Sequence, residues 1–202
     1  MNFRRLSGMD RSGGPPPQTQ KGEPLRPFTI PNAVSYVRIA LLPVFLVITL
    51  GSDDGRETSA AVLYFLIAWG DQLDGLAARL TGQYSRLGAL LDPLTDRALV
   101  LCGVVVCWHF ELLPRWALAV LAGRELFMLI LSQVGLRKGM DLKINMVGRW
   151  AVWPVMFAIF LTLLVDSWVA DASLYLGLAL TLWATVIYVQ DGVQFLKASS
   201  ST

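Results

Sequence analysis

Four aspartates lie within two largely apolar stretches of the sequence. Asp71 and Asp74 are three residues apart and Asp92 and Asp96 are four apart. At these spacings, the two side chains of each pair project from one face of their own helix. A charge at the centre of a membrane helix costs about 2.5–3.5 kcal/mol on insertion scales, so carboxylates retained there need compensation.

These carboxylates indicate a metal-dependent reaction at phosphorus. If the chain turns back between Thr81 and Ser85, all four can share one pocket near the membrane surface. Like charges that close repel one another unless cations lie between them. An all-oxygen ligand set favours a hard ion such as Mg²⁺, Mn²⁺ or Ca²⁺ over zinc. Two ions bridged by shared carboxylates would clamp phosphate oxygens while charge develops on them.

Three further residues beside the aspartates suit a phosphate ligand. Gly75 and Gly88 lack a side chain, which lets a ligand approach the backbone closely. Arg79 carries a planar guanidinium that can grip a phosphate. A structural ion pair between helices is the alternative interpretation of Arg79 and, less readily, of the four aspartates.

The elements that would position these residues are membrane helices. Of 202 residues, 54% are hydrophobic and 16% are charged, whereas soluble domains have roughly a quarter charged residues. A spanning helix needs about 20 mostly apolar residues. We therefore predict an all-α integral membrane protein with six transmembrane helices, near residues 33–50, 59–80, 88–110, 114–136, 147–166 and 173–195.

The distribution of basic residues predicts the orientation of the helices. Lys and Arg are retained in cytoplasmic loops, and here they are concentrated in the leading tail, after the second and fourth spans, and at the end of the chain. Both termini are therefore expected in the cytoplasm, with the active site at the cytoplasmic ends of spans two and three. Residues 1–27 are predicted to be a flexible cytoplasmic tail, residues 28–196 the membrane domain, and residues 197–202 a short C-terminal tail.

Charge and cysteine content exclude two classes of protein. The net charge is only +2, from 17 Lys and Arg against 15 Asp and Glu. This balance supplies no field that would draw the chain onto nucleic acid, so no nucleic-acid partner is expected. Cys102 and Cys107 lack the further Cys or His ligands of a zinc site, and we interpret both as packing residues.

The aspartates, the two glycines and Arg79 form one spaced motif. Its pattern is Asp71-x-x-Asp74-Gly75-x-x-Ala78-Arg79, eight residues, then Gly88-x-x-x-Asp92-x-x-x-Asp96. This motif resembles that of the CDP-alcohol phosphotransferases, integral membrane enzymes of phospholipid synthesis. The resemblance extends to Pro31, Asn32 and Arg38 in the first span and to the six-span layout, over roughly residues 28–195.

The resemblance implies a role for each matching residue. Family members transfer a phosphatidyl or similar group from a CDP-linked donor to an alcohol and release CMP. Asp71, Asp74 and Asp92 would bind metal, with Mg²⁺ or Mn²⁺ as the cofactor and two ions in the site. Asp96 would complete the second metal site and act as the base that accepts the proton of the acceptor hydroxyl. The residues that would line the donor, CDP-diacylglycerol, are Gly75, Arg79, Ser85, Gly88 and Asn32.

Three arginines are candidates for binding an anionic, glycerol-based acceptor: Arg97, Arg124 and Arg149. Arg124 could instead be satisfied structurally, by Glu125 and nearby carbonyls, and Arg149 could serve only as an interfacial anchor. The Pro93 after Asp92 resembles the branches that form phosphatidylglycerophosphate and cardiolipin more than the inositol-phosphate branch.

The predicted acceptor is glycerol 3-phosphate. Cardiolipin formation from phosphatidylglycerol remains the first alternative, because Arg97 stands where many glycerophosphate enzymes have Lys; an inositol-phosphate acceptor is the second. A divalent-cation transporter is the alternative from a different class, although a cation pathway gains nothing from an arginine beside the ions. The resemblance also implies a homodimer, surrounding membrane lipids as partners and a location in the bacterial plasma membrane.

Overall fold

The computed structural model describes residues 26–137 and 146–199. These residues form six α-helices and no strand, so the predicted number of helices and the all-α class are confirmed. The helices are α1 (Ile30–Leu50), α2 (Thr58–Thr81), α3 (Arg86–His109), α4 (Arg115–Arg137), α5 (Met146–Thr162) and α6 (Trp168–Ser199).

Capping residues in the sequence account for where several helices begin. The backbone N–H of Asn32 donates to Thr29 Oγ1 (3.4 Å), which places Thr29 at the N-cap of α1. Pro31 lies in the first turn of α1, where proline is tolerated. Before α6, Ser167 Oγ accepts the N–H of Val169 (3.2 Å). The first turn of α6 also holds Asp171, a favourable position for a negative charge at the helix N-terminus.

The largest boundary differences from the prediction are at the fifth and sixth helices. Helix α5 ends at Thr162 rather than near residue 166, and α6 begins at Trp168 rather than near residue 173. The end of α5 is closed by a tightened turn, in which the N–H groups of Leu164 and Val165 both donate to Leu161 O. Because Ser167 supplies a cap, α6 begins at Trp168 and includes Asp171, and the connection from α5 is short.

One compact unit contains the described part of residues 1–48 together with residues 62–99. It holds most of α1 and α2 and the first half of α3. The α1 and α2 helices meet through aromatic side chains, with the rings of Phe45 and Tyr64 at 5.4 Å between centroids. Gly82, with φ of +65°, follows the last residue of α2 and ends that helix in the left-handed conformation that glycine adopts without strain. The predicted break between the second and third helices is thereby confirmed.

A second compact unit contains residues 49–61 and the described part of residues 100–202. In it, α6 packs along α5 and also against α4. Its largest fully buried side chains are apolar. They are Val106, Leu118, Leu121, Val155, Ile159, Leu163 and Leu174.

By length and apolarity, two helices in the described ranges could cross a membrane: Ile30–Leu50, which is α1, and Trp168–Gln190 within α6. A shorter apolar stretch covers Trp150–Thr162 of α5. Helices α2, α3 and α4 each carry at least two ionisable side chains in their length. The six-span topology therefore stays a prediction. The predicted leading tail, apart from residues 26–27, and the basic connection over residues 138–145 lie outside the described residues.

Candidate active site

Three helices of the first unit bring polar side chains together around the aspartates. Helix α2 supplies Asp71 and Asp74, and α3 supplies Asp92 and Asp96. Helix α1 supplies a basic residue, Arg38, which contacts carboxylates on both α2 and α3. The predicted convergence of the two aspartate pairs is therefore present, with a guanidinium among them.

Arg38 bridges the two acidic helices. Its Nη2 donates to Asp96 Oδ1 at 2.6 Å and its Nη1 donates to Asp74 Oδ2 at 3.2 Å. The same Nη1 lies 3.9 Å from Asp71 Oδ1. The Arg38 side chain is only 3% exposed and that of Asp74 only 4%. Charged groups are rarely buried this deeply unless they are paired. The positive charge of Arg38 therefore offsets part of the negative charge of the aspartates.

The four carboxylates differ in environment. Asp74 is buried, whereas the side chains of Asp71 and Asp96 are 41% and 34% exposed. Asp92 Oδ1 accepts a hydrogen bond from Ser35 Oγ at 3.2 Å. Ser35 and Arg38 are three residues apart and so lie on the same face of α1. The site thus has a buried end at Asp74 and a more open end at Asp71 and Asp96.

The donor set suits a hard divalent cation. Within residues 26–137 and 146–199, no three His, Cys, Asp or Glu side chains are grouped as metal ligands. The side chains of α2 and α3 that pair with Arg38 are all carboxylates. Carboxylates without nitrogen or sulfur ligands are the set that Mg²⁺ and Mn²⁺ prefer. Asp71, Asp74, Asp92 and Asp96 are the residues that would hold such ions.

Asn32 and Ser85 connect the start of α1 to the start of α3. The Asn32 side chain is fully buried. Its Nδ2 donates to the carbonyls of Arg26 (3.0 Å) and Pro27 (3.1 Å), and its Oδ1 accepts from Ser85 Oγ (2.7 Å). Ser85 Oγ in turn accepts the N–H of Gly88 (2.9 Å), which makes Ser85 the N-cap of α3. These contacts give both residues a structural role beside the predicted donor contact.

Gly88 is required by this connection. A Cβ at residue 88 would lie 2.7 Å from Asn32 Oδ1 and 3.1 Å from Ser85 Oγ. The sequence predicted that Gly88 leaves space for a ligand. In the structure, the space beside its Cα is taken by the Asn32 amide, so close packing of α1 on α3 explains this glycine.

Ser85→Ala is expected to destabilise the protein by about 0.5–2 kcal/mol, the usual cost of removing a serine N-cap. The substitution removes the acceptor of the Gly88 N–H and the donor to Asn32 Oδ1. Ser85→Thr keeps the hydroxyl and should retain most of the stability. Thermal unfolding in detergent measures the difference, and equal midpoints for wild type and Ser85→Ala would contradict the capping role.

Gly75 and Arg79 lie together on the last turns of α2. The position of a Cβ on Gly75 is 3.9 Å from Arg79 Nη2, so the guanidinium folds back over the glycine one turn earlier. Arg79 is half-buried. This arrangement places a cation beside Gly75, a position that suits a phosphate-binding role for Arg79.

The three candidate acceptor residues belong to different units of the structure. Arg97 is half-buried and follows Asp96 in the first unit. Arg124 belongs to the second unit, where its Nη1 pairs with Glu125 and its Nε donates to Thr185 Oγ1 at 3.0 Å. The alternative of a structurally satisfied Arg124 thus has direct support. The backbone of Arg149 lies in α5, but its side chain is outside the described residues.

Sequence reasoning assigned Asn32 of α1 to the site but gave no role to Arg38 or Ser35 of the same helix. Arg38 enters it only through the family resemblance. The signal was present, because a charged residue inside a largely apolar helix marks a functional site by default. Its partners could not be read from the sequence, since they are 36 and 58 residues further along the chain.

Known proteins resemble this chain over most of its length. A cardiolipin synthase (CMP-forming) of Streptomyces coelicolor is 35% identical over 192 residues, covering 91% of this chain and 89% of the relative. A CDP-diacylglycerol–glycerol-3-phosphate 3-phosphatidyltransferase of Bacillus subtilis is 29% identical, covering 86% of this chain and 100% of the relative. A putative cardiolipin synthase of Mycobacterium tuberculosis is 32% identical over 168 residues, covering 81% of this chain and 79% of the relative.

The family assignment joins these similarities to the site. Residues 28–183 match the sequence profile of the CDP-alcohol phosphatidyltransferases. The matched range includes all of α1 to α5 and therefore every aspartate of the site together with Arg38. On the strength of this match and of the 35% identity to the Streptomyces relative, the chain belongs to the CDP-alcohol phosphatidyltransferase family.

Proposed function

We propose that this protein transfers a phosphatidyl group from CDP-diacylglycerol to a glycerol-based acceptor in phospholipid synthesis, with release of CMP. The observation that carries the proposal is the grouping of Asp71, Asp74 and Asp96 around one buried guanidinium, within a chain of this family. Relatives named for phosphatidyl transfer from CDP-diacylglycerol and for cardiolipin synthesis support the same reaction class.

Each aspartate has a role in the proposed reaction. Asp71, Asp74 and Asp92 would hold Mg²⁺ or Mn²⁺, and Asp96 would complete a second site. When bound, such ions offset the charge on the donor diphosphate. Asp96 is the carboxylate that accepts the proton of the acceptor hydroxyl, because it lies at the more open end of the site and has a carboxyl oxygen available beside the one bonded to Arg38.

The donor is proposed to lie along the end of α2 and the start of α3. Gly75 and Arg79 are the residues that would meet the diphosphate, since Arg79 supplies a planar cation over a backbone without a side chain. The start of α3 is positioned by the hydrogen bonds among Asn32, Ser85 and Gly88. These residues would therefore support donor binding by shaping this region as well as by contacting the donor.

CDP-diacylglycerol is expected to raise the unfolding temperature of the purified protein only when Mg²⁺ or Mn²⁺ is present. The dependence arises because the donor's diphosphate and the carboxylates are both anionic and need cations between them. A divalent-cation transporter would respond to metal alone, with no additional shift from the nucleotide lipid. Differential scanning fluorimetry in EDTA and in Mg²⁺, with and without the donor, separates the two functions.

The acceptor is proposed to be glycerol 3-phosphate, giving phosphatidylglycerophosphate. Arg97, Arg124 and Arg149 are the candidate residues for its phosphate. Cardiolipin formation from phosphatidylglycerol is the second candidate, favoured by the 35% identity to the Streptomyces cardiolipin synthase against 29% to the Bacillus glycerol-3-phosphate enzyme. An inositol-phosphate acceptor is the third.

The proposed setting is a bacterial plasma membrane, with six helices across it, both termini in the cytoplasm and the aspartates near the cytoplasmic face. Large apolar side chains on the outer surface of the described helices suit contact with lipid. Examples are Val47, Ile130 and Trp183, exposed by 73%, 65% and 66%. The orientation can be tested in a variant without Cys102 and Cys107, to which a single cysteine is added at either terminus. The added cysteine should be labelled by a membrane-impermeant reagent only after the cells are permeabilised, and labelling in intact cells would contradict the orientation.

A homodimer is proposed from the family resemblance alone. Chemical crosslinking in a mild lipid environment should give a dimer band, whereas monomer under all conditions would contradict the proposal.

A further inference from the structure

Arg38 is buried and contacts two helices at once, which indicates a function beyond that of an ordinary ion pair. Its side chain is 3% exposed, and its guanidinium contacts carboxylates on two different helices. We propose that Arg38 is a positioning residue: a permanent counter-cation, anchored to α2, that holds Asp74 and Asp96 in register before and after divalent ions bind. The inference rests on the proposed function only in taking divalent ions as the other partners of the aspartates.

Two contacts fix Arg38 independently of the aspartates. Arg38 Nε donates to the backbone carbonyl of Ile67 at 2.8 Å. Its methylene chain crosses α2 at Gly70, where a Cβ would lie 2.6 Å from Arg38 Cδ and 2.8 Å from Cγ. The absence of a side chain at residue 70 therefore makes the path of the arginine possible. Because neither contact uses a carboxylate, the guanidinium keeps its position, and Asp74 and Asp96 can each bond to it through one oxygen while the other oxygen remains for a metal ion.

The positive charge of Arg38 is always present, whereas the charge of divalent ions is present only while they are bound. A guanidinium in a protein does not deprotonate, so it offsets part of the carboxylate repulsion at all working pH values. Without it, the buried Asp74 and its neighbours would depend on divalent ions alone for compensation. Removal of one partner of a buried ion pair leaves an uncompensated charge, which is strongly destabilising.

Arginine is suited to this role by shape as well as charge. Its two Nη atoms contact different helices, Asp74 on α2 and Asp96 on α3, while Nε is used by the α2 backbone. A lysine ammonium is a single point charge and has no planar fork to hold these three acceptors at once. Arg38→Lys should therefore keep part of the charge compensation and lose the register between Asp74 and Asp96.

The test compares thermal unfolding in EDTA and in Mg²⁺ for wild type, Arg38→Met, Arg38→Lys and Gly70→Ala. Arg38→Met should unfold several degrees lower than wild type in EDTA, and Mg²⁺ should then raise its midpoint by more than it raises that of wild type. The larger rise follows because the ions relieve repulsion that wild type has already offset. Gly70→Ala keeps the charge but displaces the side chain, so it should show the same change to a smaller extent.

Arg56→Met is the matched control, because Arg56 pairs with the exposed Asp166 within the second unit. Its Mg²⁺ shift should equal that of wild type. If Arg38→Met does not fold, Gly70→Ala and Arg38→Lys provide the comparison. Equal losses of stability in EDTA and in Mg²⁺ would show a packing role and overturn the proposal, as would the absence of any Mg²⁺ shift in all variants.

CMP release by wild type separates this inference from the proposed function. Wild type that releases CMP, with equal Mg²⁺ shifts in wild type, Arg38→Met and Gly70→Ala, overturns only the positioning role. Wild type that releases no CMP with any acceptor, while Arg38→Met and Gly70→Ala show the enlarged Mg²⁺ shift, overturns the enzymatic function and leaves the positioning role intact.

Discussion

Asp96→Asn is expected to lower CMP release by roughly 10²- to 10⁴-fold, the usual contribution of a general base. The substitution keeps the size of the side chain and an oxygen that can accept from Arg38 Nη2, so the link between α1 and α3 survives. What it removes is the carboxylate that accepts the hydroxyl proton of the acceptor. Metal-dependent protection by CDP-diacylglycerol should therefore be retained while turnover is lost.

The turnover measurement needs a control for replacing any aspartate by its amide. Asp53 lies in the turn between α1 and α2 and is exposed, so Asp53→Asn should release CMP at the wild-type rate. Normal turnover in Asp96→Asn would remove Asp96 from the role of base. Loss of turnover together with loss of donor protection would instead assign Asp96 to metal binding alone.

Asp71→Asn is expected to weaken metal-dependent donor binding by about tenfold or more, since even residues that only support metal ligands contribute about 10- to 100-fold to metal affinity. Asp71 is the most informative of the proposed ligands because its carboxylate is 41% exposed and lies 3.9 Å from Arg38 Nη1. Its replacement therefore disturbs the buried ion pair less than Asp74→Asn, which removes a carboxylate hydrogen-bonded to Arg38.

Titration of Mg²⁺ or Mn²⁺ against the donor-induced thermal shift measures this effect. The Asp71→Asn titration should require a higher metal concentration for the same shift, and Asp74→Asn should add a loss of stability in EDTA. Donor affinity that is unchanged across the metal titration would contradict the assignment of Asp71 as a ligand.

Local signals in the sequence predicted much of this structure. The three- and four-residue spacings of the aspartates predicted which side chains share a helix face. A turn between Thr81 and Ser85 was also predicted, and in the structure Gly82 ends α2 there. These features depend on residues near one another in the chain. Their physical cause, helical periodicity or a left-handed cap, operates within a single turn.

Contacts between distant residues could not be predicted in the same way. Arg38 reaches Asp74 and Asp96 only because α1 packs beside α2 and α3, and Gly70 is explained only by that packing. Similarly, the Asn32–Ser85 hydrogen bond joins residues 53 positions apart. The sequence indicated that the aspartates need positive charge nearby, and divalent metal was the simplest interpretation. The structure shows that Arg38 supplies part of that charge.

The candidate acceptor arginines show a further limit of sequence reasoning. Neighbouring residues in a helix do not normally face each other, yet Arg124 pairs with Glu125 and also contacts Thr185 on α6. The sequence proposed Glu125 as one possible partner but could not identify Thr185. An arginine satisfied in this way would have to exchange partners to bind an acceptor phosphate, which makes it a less direct candidate than Arg97 beside Asp96.

The most direct test of the proposed function is CMP release by the purified protein with CDP-diacylglycerol and Mg²⁺ or Mn²⁺. Glycerol 3-phosphate, phosphatidylglycerol and inositol phosphate are supplied separately as acceptors, with EDTA as the control. We expect metal-dependent CMP release with glycerol 3-phosphate; release with phosphatidylglycerol instead would identify a cardiolipin synthase. No CMP with any acceptor, from protein whose stability still responds to metal, would contradict phosphatidyl transfer to these alcohols and favour cation transport.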